Sequence, residues 1–415
     1  KSLLESSKPT IKRELAKRID WNQKLICIKG FRGVGKTTFL LDYIRDKFSN
    51  DNTVLYINLN NFYFTKRKIS SFADEFVKKG GKVLVLDQIQ KYPDWSADLR
   101  KCVDEIPSLK IIFSSSPILR ITEGNPDLQG IANINHLEGL SFREYLNYQT
   151  GNNFSHYTFD EIISNHVIIA NEIVSKVRPL AYFDEYLKSG YFPYFMDDPH
   201  FYINRLLMHI NLALEIDVPY INQIELKYLP KLRKLLHIIA SETPFTPNVS
   251  KLAASVETSR ATVMNYLNYL KNAKLIHLLY SNGDDDQMKK PDKVYLHNTN
   301  LLYAIAPDNT ESLNLRHTFF YNQVDYICTV KSSPVADFCV NNKYVLYDKG
   351  GNDFKLKGFP SIGEMIGFLS DRTCLISIEK SDREEEGSWE IYDHLDMLFK
   401  KDHSHVGGGE YIEET

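Results

Sequence analysis

The stretch GFRGVGKT, Gly30 to Thr37, sets three glycines, a lysine and a threonine in the spacing GxxxxGK[ST]. Each residue type has a physical task in that pattern. Gly30, Gly33 and Gly35 let the backbone wrap with its N–H groups pointing inward, and a helix starting near Lys36 favours negative charge at its N-terminus. Lys36 supplies a point charge for β- and γ-phosphates, and the Thr37 hydroxyl is placed to ligate Mg²⁺. The expected phosphate cradle is Gly30, Phe31, Arg32, Gly33, Val34, Gly35, Lys36, Thr37 and Thr38. A second chemical position ends the apolar run KVLVLD. Asp87 there is the expected second Mg²⁺ anchor, acting through water, and Gln88 follows it. A third is the polar run Ser114 to Ser116, where Ser116 is the candidate sensor of a γ-phosphate.

Those residues need particular elements beneath them. The phosphate motif has meaning only between a strand and a helix, and both are predicted: KLICIK (24–29) as a strand, TTFLLDYIRDKF (37–48) as a helix. TVLYINL (53–59), KVLVLD and LKIIFSSS read as three more strands, with helical patterns between them. Strands that are apolar almost throughout are buried on both faces, so the first part should be a parallel sheet with helices on each side. From about residue 140 the pattern becomes helical, with a break at Gly190 and Pro193 in FDEYLKSGYFPYF. Residues 217–292 read as three helices and two strands, the spacing of a winged helix. Residues 293–380 read as α+β, with a hairpin turning at Asn341-Asn342, and 381–415 as a solvated tail.

In order along the chain, GFRGVGKTTFLLDYI, VLDQIQKYPDW, LEGLSFREYL, EYLKSGYFPYF, KVYLHNTNLLYAI and TFFYNQV resemble a group of bacterial and archaeal AAA+-type ATP-binding proteins. These join a P-loop domain to a helical lid, a winged helix and a C-terminal domain of unknown function that is similar to PD-(D/E)xK nucleases. The resemblance implies an α/β AAA+-like domain (1–139), a lid (140–216), a winged helix (217–292) and a degenerate nuclease-like domain (293–380). It implies ATP and Mg²⁺ as ligands, but no defined substrate.

The departures from the family pattern are specific. Relatives carry Glu where this chain has Gln88, and paired arginines where it has Gln129-Gly130. Glutamine keeps the shape of glutamate, but it has no charge and cannot accept a proton. ATP binding should therefore survive while hydrolysis falls, since a positioned base is worth roughly 10²–10⁴-fold and an arginine on the transferring phosphate roughly 10³–10⁵-fold. An active ATPase would have to position its water with another residue, such as Glu123 or Glu138. In the nuclease-like segment, Asp337 matches the first carboxylate and Asp348 stands for Glu. Gly350 occupies the lysine position, with Lys349 beside it on the other strand face, and His317 stands where many relatives have Glu.

Composition bounds the partners. The chain carries 50 basic and 53 acidic residues, a net charge of −3, so no global imbalance favours nucleic acid. The winged-helix segment from Ile216 to Lys290 holds ten Lys/Arg against seven Asp/Glu. That is a weak footprint for DNA, further opposed by Asp284, Asp285 and Asp286 at the wing tip. Arg260, Asn265, Asn268 and Lys271 are its candidate DNA contacts. The five cysteines are scattered without a CxxC pair, which argues for small buried side chains in a reducing compartment. With no apolar run near the ~20 residues of a membrane span and no signal-like start, a soluble cytoplasmic protein is expected. No protein partner is indicated.

Overall fold

The computed structural model describes residues 11–48, 51–123, 125–242, 246–281, 289–326, 328–333, 337–342, 344–348 and 374–378. The chain forms two compact units. The first holds Lys1–Leu140 together with Phe192–Tyr194 and Ile216–Gln223, and the second holds the remainder.

The first unit is an α/β fold around a five-stranded, all-parallel sheet. Its strands are β1 (Leu25–Lys29), β2 (Val54–Asn58), β3 (Val83–Asp87), β4 (Lys110–Ser115) and β5 (Asn133–His136), in the order β2-β3-β4-β1-β5. The inner strands β1, β3 and β4 are buried almost throughout, which explains their unbroken apolar runs. The edge strand β2 is as apolar in sequence but only half-buried. β5, the polar run NINH, is the strand that sequence pattern does not predict. It holds its place by pairing with β1, from Ile26↔Asn133 to Lys29↔His136. Helices Lys36–Phe48, Ile69–Lys78 and Trp95–Glu105 connect the strands. One core cluster includes Leu25, Leu84, Leu86, Leu99, Ile111 and Phe113. Because all five strands run the same way, the segments following each of them emerge at one end of the sheet.

The second unit is mainly helical. It opens with Phe142–Thr150, where Ser141 and Glu144 form a reciprocal capping box. Helices Leu229–Glu242, Val249–Ser255 and Arg260–Asn272 are followed by an antiparallel pair, β6 (Ile276–Leu279) and β7 (Lys293–Leu296). A four-stranded sheet follows in the order β11-β10-β9-β8, built from β8 (Val330–Ser332), β9 (Phe338–Val340), β10 (Tyr344–Asp348) and β11 (Cys374–Ile378). Asn341 and Asn342 both take positive φ, 52° and 55°, between the paired strands β9 and β10. The acidic tip Asp284–Asp286, the positions Lys349 and Gly350, and the tail 381–415 lie outside the described residues. No helix among the described residues is long and apolar enough to cross a membrane.

Candidate functional site

β1 delivers the chain into the glycine loop, and local packing fixes why glycines stand there. A Cβ on Gly30 would lie 2.3 Å from the carbonyl oxygen of Leu137. Gly33 and Gly35 take φ of 85° and 96°, a region costly to residues with side chains. The Gly30 amide donates to the Ser115 carbonyl at 3.3 Å, which ties the loop to the end of β4. Within the loop, Phe31 and Val34 are buried, and Phe31 packs on Phe192 with ring centroids 5.8 Å apart. Lys36 is the first residue of its helix and Thr37 the second, with Thr38 half-buried after them.

The Lys36 ammonium folds back on its own loop, donating to the carbonyls of Gly30 at 2.6 Å and Phe31 at 2.8 Å. Burial pushes it down to about 8 from its ordinary value, against the opposing pull of the Asp87 charge. Asp87, almost fully buried at the end of β3, gathers three hydroxyls. Thr37 donates to one carboxylate oxygen at 2.6 Å, Tyr56 donates to the same oxygen at 2.8 Å, and Ser114 donates to the other. The Ser114 hydroxyl in turn accepts the Gln88 amide at 2.9 Å. Gln88 itself sits in the left-handed region, φ 63° and ψ 54°, where a residue with a side chain stores about 1–3 kcal/mol of strain.

Thr37 and Asp87 are thus in direct contact, and the pair suits Mg²⁺. That ion takes few protein ligands and fills its shell with water and phosphate oxygens. Among the described residues no group of three or more His, Cys, Asp or Glu could hold a metal by itself. The Ser116 hydroxyl is buried without a hydrogen-bond partner among the described residues, one residue beyond the contact between Ser115 and Gly30. An orphaned hydroxyl there fits a site shaped for an added acceptor.

Four contributors lie outside the phosphate motif. Arg13 clamps the loop from outside, donating to the carbonyls of Val34 at 3.0 Å and of Glu138 and Gly139 at 2.7 Å each. Asp217 holds Arg32 through two bonds, at 2.8 and 2.5 Å, from a position 185 residues away. Tyr56 and Ser114 secure Asp87. Only Ser114 carries a sequence signal, its place in the polar run with Ser116. Glu123 is exposed, and Glu138 is half-buried just after β5. Gln129 is exposed and Gly130 adopts φ 77° in a turn, so a side chain at 130 would be strained.

In the second unit, Asp337 is buried, with the Lys293 ammonium 3.6 Å from one carboxylate oxygen and His317 3.9 Å from the other. Asp348 ends β10, where it pairs with Ile378. Of the candidate DNA contacts, Arg260 and Asn265 are exposed and Lys271 is half-buried, while Asn268 donates to the Met264 carbonyl at 3.1 Å.

The loop lies within a stretch of the chain that matches a known family. Residues 22–146 match the family model of an AAA domain, and residues 180–312 match a domain of unknown function, DUF8612, which stops short of Asp337. Among curated proteins, the chain is similar to the uncharacterized protein MJ1637 of Methanocaldococcus jannaschii, 27% identical over 68% of this chain and 63% of that protein. It is also similar to the uncharacterized protein MJ1544 of the same organism, 27% identical over 62% of this chain and 56% of that one. The chain therefore spans less than two thirds of these relatives. Among solved structures, AMPPCP-bound DnaA from Aquifex aeolicus aligns with a TM-score of 0.23 at 13% identity, covering 66% of this chain and 87% of that one. A DNA replication initiation factor aligns with a TM-score of 0.22 at the same identity and coverage.

Proposed function

We propose that the chain binds Mg²⁺-ATP at the Gly30–Thr37 loop, hydrolyses it weakly or not at all, and acts as a nucleotide-dependent switch. The observation that carries this reading is the meeting of Lys36, Thr37 and Asp87 at one end of a parallel sheet of order β2-β3-β4-β1-β5. In this reading Lys36 leaves its two loop carbonyls for phosphate oxygens, and the Thr37 hydroxyl turns from Asp87 toward the ion. Mg²⁺, when bound, neutralises phosphate charge. Arg32 faces a choice between Asp217 and a phosphate. Release of Asp217 would free the segment Ile216–Gln223, which runs straight on in the chain to residue 224 and the second unit. Segments 140–216, 217–292 and 293–380 are assigned here to a helical lid, a winged helix and a degenerate nuclease-like domain.

Weak turnover follows from Gln88, which offers no base, and from the turn at Gln129-Gly130, which offers no cation. Millimolar ATP with Mg²⁺ should raise the melting temperature, and Lys36→Ala should abolish the rise. An unchanged melting temperature for the native chain would sink the proposal. Phosphate release should stay near background. Gln88→Glu should raise it by less than the roughly 10²–10⁴-fold of a complete base, because the arginines are still missing. A gain of that full size would show the rest of an active ATPase to be in place.

A further inference from the structure

A second surface emerges at the same end of the sheet, where nothing in the nucleotide reading uses it. The segment NNFYFTKRK, 60–68, follows β2 and faces the start of the segment after β3 across an open groove of about 490 Å³. Four basic residues, Lys66, Arg67, Lys68 and Lys91, line this groove against a single acidic one, Asp94. Arg67 is occupied, bonded to Glu75 at 2.5 Å and lying 5.5 Å over the Tyr63 ring. Lys66, Lys68 and Lys91 are exposed and have no ion-pair partner among the described residues. A patch of this sign stands out on a chain whose net charge is −3.

Beside these lysines, Phe62 is 90% exposed, which leaves both faces of its ring open to solvent. The backbone around it is fixed by its neighbours. Asn61 accepts the Tyr63 amide at 2.9 Å, and Tyr63 packs edge-on against buried Phe64 with centroids 5.1 Å apart. Beneath, the buried carboxylate of Asp98 fixes the end of the segment, accepting from the Ile69 amide at 2.9 Å, the Ser70 hydroxyl at 3.0 Å and the Tyr92 hydroxyl at 2.7 Å. A mounted aromatic ring with free faces, next to uncommitted lysines in a groove, is the arrangement that stacks an unpaired base and neutralises its phosphates.

We infer that this groove binds single-stranded nucleic acid, with Phe62 as the stacking platform and Lys66, Lys68 and Lys91 on the backbone. A duplex keeps its bases stacked on one another and offers Phe62 no face. An acidic peptide would satisfy the lysines but leave the ring in water.

The test uses the full chain and a fluorescein-labelled oligothymidine of about 16 nucleotides, read by anisotropy at low salt. The oligothymidine should bind more tightly than its duplex with oligoadenosine and more tightly than polyglutamate. Phe62→Ala should weaken it roughly 5- to 150-fold, the range of one base–aromatic stack. Lys66→Ala should lower the slope of log affinity against log salt by about 0.7, the share of one phosphate on a single strand. Phe62→Tyr should keep the affinity, excess Mg²⁺-ATP should not displace the oligonucleotide, and Arg260→Ala should leave binding unchanged. Phe62 and Lys66 lie on the surface, so circular dichroism of both variants should match the native chain. Absence of oligothymidine binding would overturn the inference, and so would binding indifferent to both substitutions. Polyglutamate bound as tightly and insensitive to Phe62→Ala would replace nucleic acid with an acidic peptide.

Discussion

The segment after β1 and the segment after β2 leave the same end of one sheet and treat their polar groups in opposite ways. In the first, Lys36 is spent on two loop carbonyls, Arg32 on Asp217 and Thr37 on Asp87. In the second, Lys66, Lys68 and the Phe62 ring point into water, with exposed Lys91 facing them from the segment after β3. A closed site must exchange internal hydrogen bonds for ligand bonds, so its ligand alters the protein around it. An open site exchanges only water and ions, so its ligand is held without rearrangement. The contrast separates the proposed switch at the first segment from the proposed docking surface at the second.

The sharpest way to break this comparison is to disable one site and read both. Lys36→Ala should remove the stabilisation by Mg²⁺-ATP, about 2.7 kcal/mol at a hundredfold excess over Kd, and leave oligothymidine binding intact. Phe62→Ala should do the reverse. Loss of both activities in either variant would mean one continuous site.

A comparable effect on stability is expected where the open segment is anchored. Asp98→Ala strands two buried donors and the Tyr92 hydroxyl, and should cost about 3 kcal/mol in urea unfolding. Asp98→Asn, which keeps one acceptor, should cost less. Oligothymidine affinity should fall in Asp98→Ala as the segment loosens, while the melting rise with Mg²⁺-ATP persists.

The smallest effect concerns the thiols beneath the two segments. Cys27 in β1 and Cys102 in the helix carrying Asp98 are both pushed up to about 12, chiefly by burial. Because the folded state favours the protonated thiol, this contribution to stability is complete below the ordinary value near 9 and is lost as pH climbs toward 12. Iodoacetamide at pH 8.5 should therefore leave both unlabelled in the native chain and label both in urea, as read by mass spectrometry. Native labelling of Cys102 alone would show that the open segment rests on a yielding base, and the contrast would then be one of rigidity.

The inner strands were legible because burial on both faces leaves an unbroken apolar run. β5 was not, since Asn133–His136 is an edge strand defined by its partner. The helix of Lys36 and its loop were legible because glycine geometry and phosphate chemistry restrict residue type at every second or third position. The hairpin at Asn341-Asn342 was legible for the same local reason, a backbone that needs positive φ. Asp98 carried no signal at all, being one of three acidic residues in an ordinary amphipathic helix.

By itself, the sequence determined the residues on offer: a GxxxxGK[ST] loop with its lysine and threonine, an aspartate at the end of β3, and a glutamine directly after it. Those are local facts, set by residue type and near neighbours. Only the tertiary structure decided how those residues are held. It brought Asp217 to Arg32 and Arg13 to Val34, set Ser114 and Tyr56 on Asp87, and left Phe62 with its lysines facing outward. Such choices depend on which distant strands and loops become neighbours, and on which polar groups that folding leaves satisfied.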